Sequence, residues 1–117
     1  MMPERIQLSR AKGWRMPPNT VKVDRTTKWG NPYRVEQAQD GIWEVMTPDG
    51  RRVGRYDTRD EATWMACTRF EYETNTTWGR SLIRRELAGK NLACWCPVGS
   101  PCHADVLLEI ANRGDAS

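Results

Sequence analysis

The alternation of apolar and polar positions marks two short strands near the start of the chain. Ile6-Gln7-Leu8-Ser9 alternates once, and Thr20-Val21-Lys22-Val23-Asp24 alternates again with Val21 and Val23 on the inward side. Between them, Ala11 to Asn19 holds Gly13, Pro17 and Pro18 and reads as a loop. Ile42 to Met46 and Arg51 to Arg55 flank Thr47-Pro48-Asp49-Gly50, strong turn chemistry, so this stretch predicts a β-hairpin at a sheet edge.

The period then changes to that of a helix. Thr58 followed by Glu61 forms a capping box, and Ala62, Met65, Ala66, Arg69 and Phe70 share one stripe, which predicts a helix over 59–73. Arg80 to Ala88 carries Leu82, Ile83 and Leu87 and is closed by Gly89, giving a second helix. Asn91 to Trp95 is a further strand, parallel to the earlier ones because it is reached through helices. Ser100 as N-cap and Pro101 at the first helical position open a last helix with Val106, Leu107, Ile110 and Ala111 inward and Gly114 as its stop. The expected fold is a small single-domain α/β protein over 1–117. A mixed sheet of two N-terminal strands, an edge hairpin and a later parallel strand is flanked by about three helices.

Composition changes this picture little. At 117 residues, with 38% hydrophobic and 28% charged positions, the chain suits one soluble globular domain with its own core. No apolar run reaches the roughly 20 residues of a membrane span, and the N-terminus lacks the apolar stretch of a secretory signal. Four cysteines in a chain without such a signal read as thiols or ligands in a reducing cytoplasm. Charge is uneven: residues 1–34 hold eight Lys and Arg against two acids, net +6, and the rest is −3. A basic end of this kind suits phosphate, on a nucleotide or on nucleic acid, although a plain solvated surface is the ordinary use of such charge. Nothing here sets an oligomeric state.

Chemistry concentrates in Cys94 to Asp105. Cys94, Cys96, Cys102 and His103 offer three thiolates and an imidazole, a set that satisfies tetrahedral zinc. Cys94 and Cys96, if fully extended, have Cα atoms about 7 Å apart, which suits a shared metal better than a disulfide. The same strand, turn and helix start could instead bind a phosphate-bearing ligand through Ser100 and His103. The Arg25–Tyr33 loop also follows a strand and would share that pocket. There Lys28 would neutralise phosphate, Trp29 or Trp95 would stack a base, Gly30 would shape the loop and Asn31 would bond a sugar or base edge. A third use is a thiol enzyme with Cys102 as nucleophile beside His103; Asp105, two residues on, is a poor third member of such a triad. Cys67 lies apart and reads as a small buried hydrophobe.

Thr27-Lys28-Trp29-Gly30-Asn31-Pro32-Tyr33, with Gly89 to Cys96 and Pro101 to Leu107, closely resembles the domain of unknown function 4326 family. The resemblance spans about Val21 to Asn112. It maps a GNP motif onto Gly30, Asn31 and Pro32, a CWC motif onto Cys94, Trp95 and Cys96, and a following Cys-His pair onto Cys102 and His103. It implies a bacterial or phage origin and a single recurrent signature built from both loops. It implies no reaction. Two functions therefore lead: a small domain binding a nucleotide or other phosphate-bearing ligand, and a zinc-stabilised module that binds nucleic acid or protein without catalysis.

Overall fold

The computed structural model describes residues 3–113. Its elements in chain order are β1 (Arg5–Gln7), β2 (Thr20–Lys22), β3 (Arg34–Gln37), β4 (Trp43–Met46), β5 (Arg52–Tyr56), α1 (Arg59–Thr74), α2 (Thr77–Leu87), β6 (Asn91–Cys94) and α3 (His103–Asn112). They form a small α/β fold with two three-stranded sheets. One is parallel with order β1-β6-β2; the other is antiparallel with order β3-β4-β5. The hairpin therefore does not sit on the edge of the first sheet. It takes Arg34–Gln37 as a third strand and makes a sheet of its own.

The parallel sheet places β6 in the middle, where its neighbours cover both edges. Leu92 lies opposite Arg5 on one side and Val21 on the other. Leu92, Ala93 and Cys94 are all buried, so both faces of the strand are covered, as is usual for a central parallel strand. Val23, Phe70, Ile83, Leu87, Leu92, Leu107 and Ile110 form the main core above it, where α2 packs on α3. Tyr33, Val45, Ala62 and Ala66 form a second core under the antiparallel sheet.

Helix α1 joins the two cores. Ala62 and Ala66 face the second core, and Phe70, one or two turns on, enters the first. Its start is held as expected, with the Thr58 hydroxyl accepting from the Glu61 amide at 3.1 Å. The second helix starts earlier than Arg80, because Thr76 caps it by accepting from the Gly79 amide. The third starts later than Pro101. Ser100 is spent on a turn, its amide donating to the Pro97 carbonyl at 3.2 Å, and Cys102 takes the cap position with extended backbone. The expected stop at Gly114 lies outside the described residues.

Candidate metal centre and ligand cleft

Strands β2 and β6 are parallel neighbours, so the loops that follow them leave the same edge of the sheet. Pairing continues past β2, with the Val23 amide donating to the Ala93 carbonyl at 2.8 Å. The next residue in each chain segment then meets the other. The Trp95 indole N–H donates to the Asp24 carboxylate at 2.9 Å across 71 positions of sequence.

Asp24 is only 4% exposed, yet its carboxylate is fully engaged. It also accepts from the Thr26 amide at 3.1 Å and the Thr26 hydroxyl, and it lies 3.7 Å from the Lys22 ammonium. Burial pushes this carboxyl up, but the bonds from Thr26 and Trp95 and the Lys22 charge outweigh it, and the net shift is downward. The group is an ionised clasp between the two loops. The Arg10 guanidinium lies over the Trp95 ring, 4.4 Å from its centroid, and covers one face of it.

The Arg25–Tyr33 loop is built for close packing. A Cβ on Gly30 would stand 2.6 Å from Arg25 Cα and 2.8 Å from the Asp24 carbonyl, so only glycine fits there. Asn31 is buried, with its amide nitrogen donating to the Ala66 carbonyl at 3.2 Å and its amide oxygen accepting from the Tyr33 amide at 3.0 Å. It ties the loop to α1. Arg25 spans the same loop, donating to the carbonyls of Asn31 and Tyr33.

Beyond β6 the chain curls, so the extended spacing of Cys94 and Cys96 no longer applies. Their sulfurs approach to 3.9 Å. Cys102 comes back across the Pro97–Pro101 turn, and the sulfurs of Cys94, Cys96 and Cys102 all lie within 4.8 Å of one another. Such a triangle could hold a metal ion. All the cysteines are free thiols. Hydrogen bonds with Cys102 and then Cys96 pull the Cys94 thiol well below its ordinary value, against the effect of burial. The Cys102 thiol is driven up by its bonds with Cys94 and Cys96 and by burial. Hydrogen bonding among the three thiols therefore favours the thiolate at Cys94 and disfavours it at Cys102.

His103 is buried beside this triangle. Its Nε2 lies 2.6 Å from the Val23 carbonyl, which makes that nitrogen an N–H donor. Nδ1 faces the Cys102 sulfur at 3.9 Å, and the ring meets Phe70 edge-on. On the other side, the Arg5 guanidinium donates to the Cys94 and Cys96 carbonyls and pairs with Asp105 at 3.9 Å.

A cleft of about 380 Å³ opens between the loops. Asp24, Arg25, Thr26, Asn31 and His103 line it together with all four cysteines, and Arg59 and Thr63 of α1 close one side. The two loops do meet. Of the residues named from the sequence, Asn31, Cys94, Trp95, Cys96, Cys102 and His103 line the cleft, whereas Lys28, Trp29, Gly30, Ser100 and Asp105 do not. Lys28 pairs with Glu86 of α2 at 2.8 Å, and Trp29 packs against the main core. The cleft cations are Arg25 and Arg59 instead. Arg59 gave no signal in the sequence, since a basic residue in a helix's first turn reads as surface. Asp24 had one: it is a polar residue at the end of a strand leading into a motif loop.

A family model described as a domain of unknown function (DUF4326) matches residues 6–113. The chain belongs to this family. No curated protein and no solved structure matches it. The DUF4326 match covers every element from β2 to α3, so both loops and the cleft between them fall inside the domain. Among its described residues, no helix is long and apolar enough to cross a membrane.

Proposed function

We propose that this DUF4326 domain binds a zinc ion through Cys94, Cys96 and Cys102. The observation that carries this reading is the mutual approach of three sulfurs within 4.8 Å, from residues on both sides of a tight turn. Three thiolates match the preference of zinc for sulfur. His103, with Nε2–H held by a backbone carbonyl, has the orientation of a metal-bound or metal-adjacent imidazole. The thiol-enzyme reading is weaker: hydrogen bonds with Cys94 and Cys96, and then burial, raise Cys102, the reverse of what a nucleophile needs.

The test is metal analysis of untagged protein. About one equivalent of zinc should co-purify and be lost in each of Cys94→Ser, Cys96→Ser and Cys102→Ser, but not in Cys67→Ser. Protein that stays folded and takes up no zinc when the metal is supplied would sink the proposal.

A second reading, binding of a nucleotide or other phosphate-bearing small molecule, is favoured by the cleft itself. Of its guanidiniums, Arg25 meets backbone carbonyls and Arg59 the Trp43 ring, and neither meets a carboxylate among the described residues. Its one acid, Asp24, is already committed. The cleft therefore carries spare positive charge, and its volume suits a ligand of mononucleotide size. A panel of mononucleotides should raise the melting temperature of the domain and do so less in Arg59→Ala. Basic residues of the first 34 positions could extend such contacts to nucleic acid.

A further inference from the structure

We propose that His103 is the fourth ligand of the ion, bound through Nδ1, so that the shell is closed and the centre holds the fold rather than meeting a substrate. This deepens the zinc reading above and rests on it. Four protein ligands mark a structural zinc site; three with an exchangeable fourth position mark a reactive one.

The fold aims His103 at the sulfurs. The residue is 6% exposed, and its Nδ1 faces the Cys102 sulfur at 3.9 Å. Nε2 donates to the Val23 carbonyl at 2.6 Å, and in the neutral ring that N–H leaves the lone pair on Nδ1. A backbone carbonyl on the far N–H is the ordinary support of a metal-bound imidazole. Phe70 meets the ring edge-on, with centroids 5.4 Å apart, and helps to hold its orientation. The nearby acids are engaged elsewhere, Asp24 with Thr26, Trp95 and Lys22, and Asp105 with Arg5.

The spacings suit one shell. Tetrahedral bonds to zinc set sulfur and nitrogen ligand atoms about 3.5–3.8 Å apart. The Cys94 and Cys96 sulfurs lie 3.9 Å apart, the same distance as Nδ1 from Cys102, so each pair closes with a small contraction. Nδ1 is not within 4.8 Å of every sulfur, so metal binding draws the start of α3 towards the end of β6. The ligands then come from the end of β6, the turn beyond it, and the cap and first residue of α3. Val23, which holds the imidazole, also donates its amide to the Ala93 carbonyl at 2.8 Å. One bonded network thus ties the chain after β2 to β6 and α3. A ligand in the cleft is left to Arg25 and Arg59, without the metal.

His103 is the only histidine of the chain, so its ring signals identify themselves. Nitrogen-15 NMR of the zinc-loaded full chain should show Nδ1 metal-bound and Nε2 protonated. Cadmium-113 in place of zinc should split the signal of the ring proton beside Nδ1. The absorption bands of the cobalt(II) form should not move with azide. His103→Ala should weaken zinc by more than the roughly tenfold cost of losing an outer partner, and should make the cobalt bands respond to azide. Phe70→Leu, which removes packing alone, should do neither. An uncoordinated Nδ1 in zinc-loaded protein, or cobalt bands of the parent that shift with azide, overturns the fourth ligand. Both measurements use the parent chain, so they decide the matter even where His103→Ala does not fold. Failure to bind any of these metals overturns the zinc reading itself, and metal content measured beforehand separates that outcome from the others.

Discussion

Trp95→Phe isolates the bond that clasps the two loops. Phenylalanine keeps most of the ring but removes the indole N–H that lies 2.9 Å from the Asp24 carboxylate. A hydrogen bond to a charged group is worth about 1.5–3 kcal/mol. Asp24 keeps Thr26 and Lys22 after the change, so the carboxylate is not orphaned and the lower part of that range applies. Lost burial adds little, because Trp95 is already 38% exposed. The expected cost is about 1.5–2 kcal/mol, or a melting temperature lower by roughly 6–10 °C for a domain of this size. The pH dependence gives a second handle. The folded Asp24 carboxyl lies below its ordinary 3.8. Its stabilising share is therefore complete above that value and is lost as pH falls through the folded one. Urea unfolding followed by circular dichroism should show the gap between Trp95→Phe and the parent at neutral pH, narrowing near pH 3. Arg10→Ala, which strips the cation from the ring face, should cost only about 0.5–1 kcal/mol without that narrowing. A Trp95→Phe protein within 0.5 kcal/mol of the parent, or a gap that is the same at both pH values, would refute the clasp.

Two further outcomes follow from the same geometry. Gly30→Ala should destabilise by roughly 1–3 kcal/mol, since the new methyl meets backbone at 2.6 Å rather than a side chain that can swing away; a thermal melt that does not move would show that the Asp24–Arg25 backbone yields freely. Cys67, with its thiol pushed up to about 12 by burial first and by the charge of Cys96 and its neighbours second, should be alkylated more slowly than half-buried Cys96 in metal-free folded protein at pH 8. Mass mapping of the labelled sites checks this, and equal rates would contradict it.

Much of this was legible in the residues, and for physical reasons. Strong local signals survived: the Thr58 cap, the proline-and-glycine turn of the hairpin, and the apolar run of β6. The meeting of the two loops also followed, because parallel strands must release their loops at one edge. Weak local signals did not survive. β3 is Arg-Val-Glu-Gln, with one apolar residue, and its strand character comes from pairing with β4 at the rim of a sheet. The start of α2 was hidden by Gly79, and Ser100 as a helix cap lost to a tighter turn. Side-chain destinations were the least readable. Lys28 reaches Glu86 on a helix more than fifty residues on, and nothing near Lys28 announces it. Cys67 looked isolated in sequence, yet α1 carries it to the cleft that the other cysteines line.

The position of β6 bears on the order in which the molecule can be made. The strand that both N-terminal strands pair with is the last of the six, and Arg5 sits opposite Leu92. A chain emerging from a ribosome can build the antiparallel sheet and α1 early, from contacts close in sequence. β1 and β2 must wait with bare edges until residues 91–94 arrive. Cys94, Cys96 and Cys102 emerge into the same unfinished state, as thiols with no cleft around them. The parallel sheet, the clasp and the sulfur triangle therefore form together, once β6 and α3 have emerged. Delay at that step exposes strand edges to aggregation and thiols to oxidation at once.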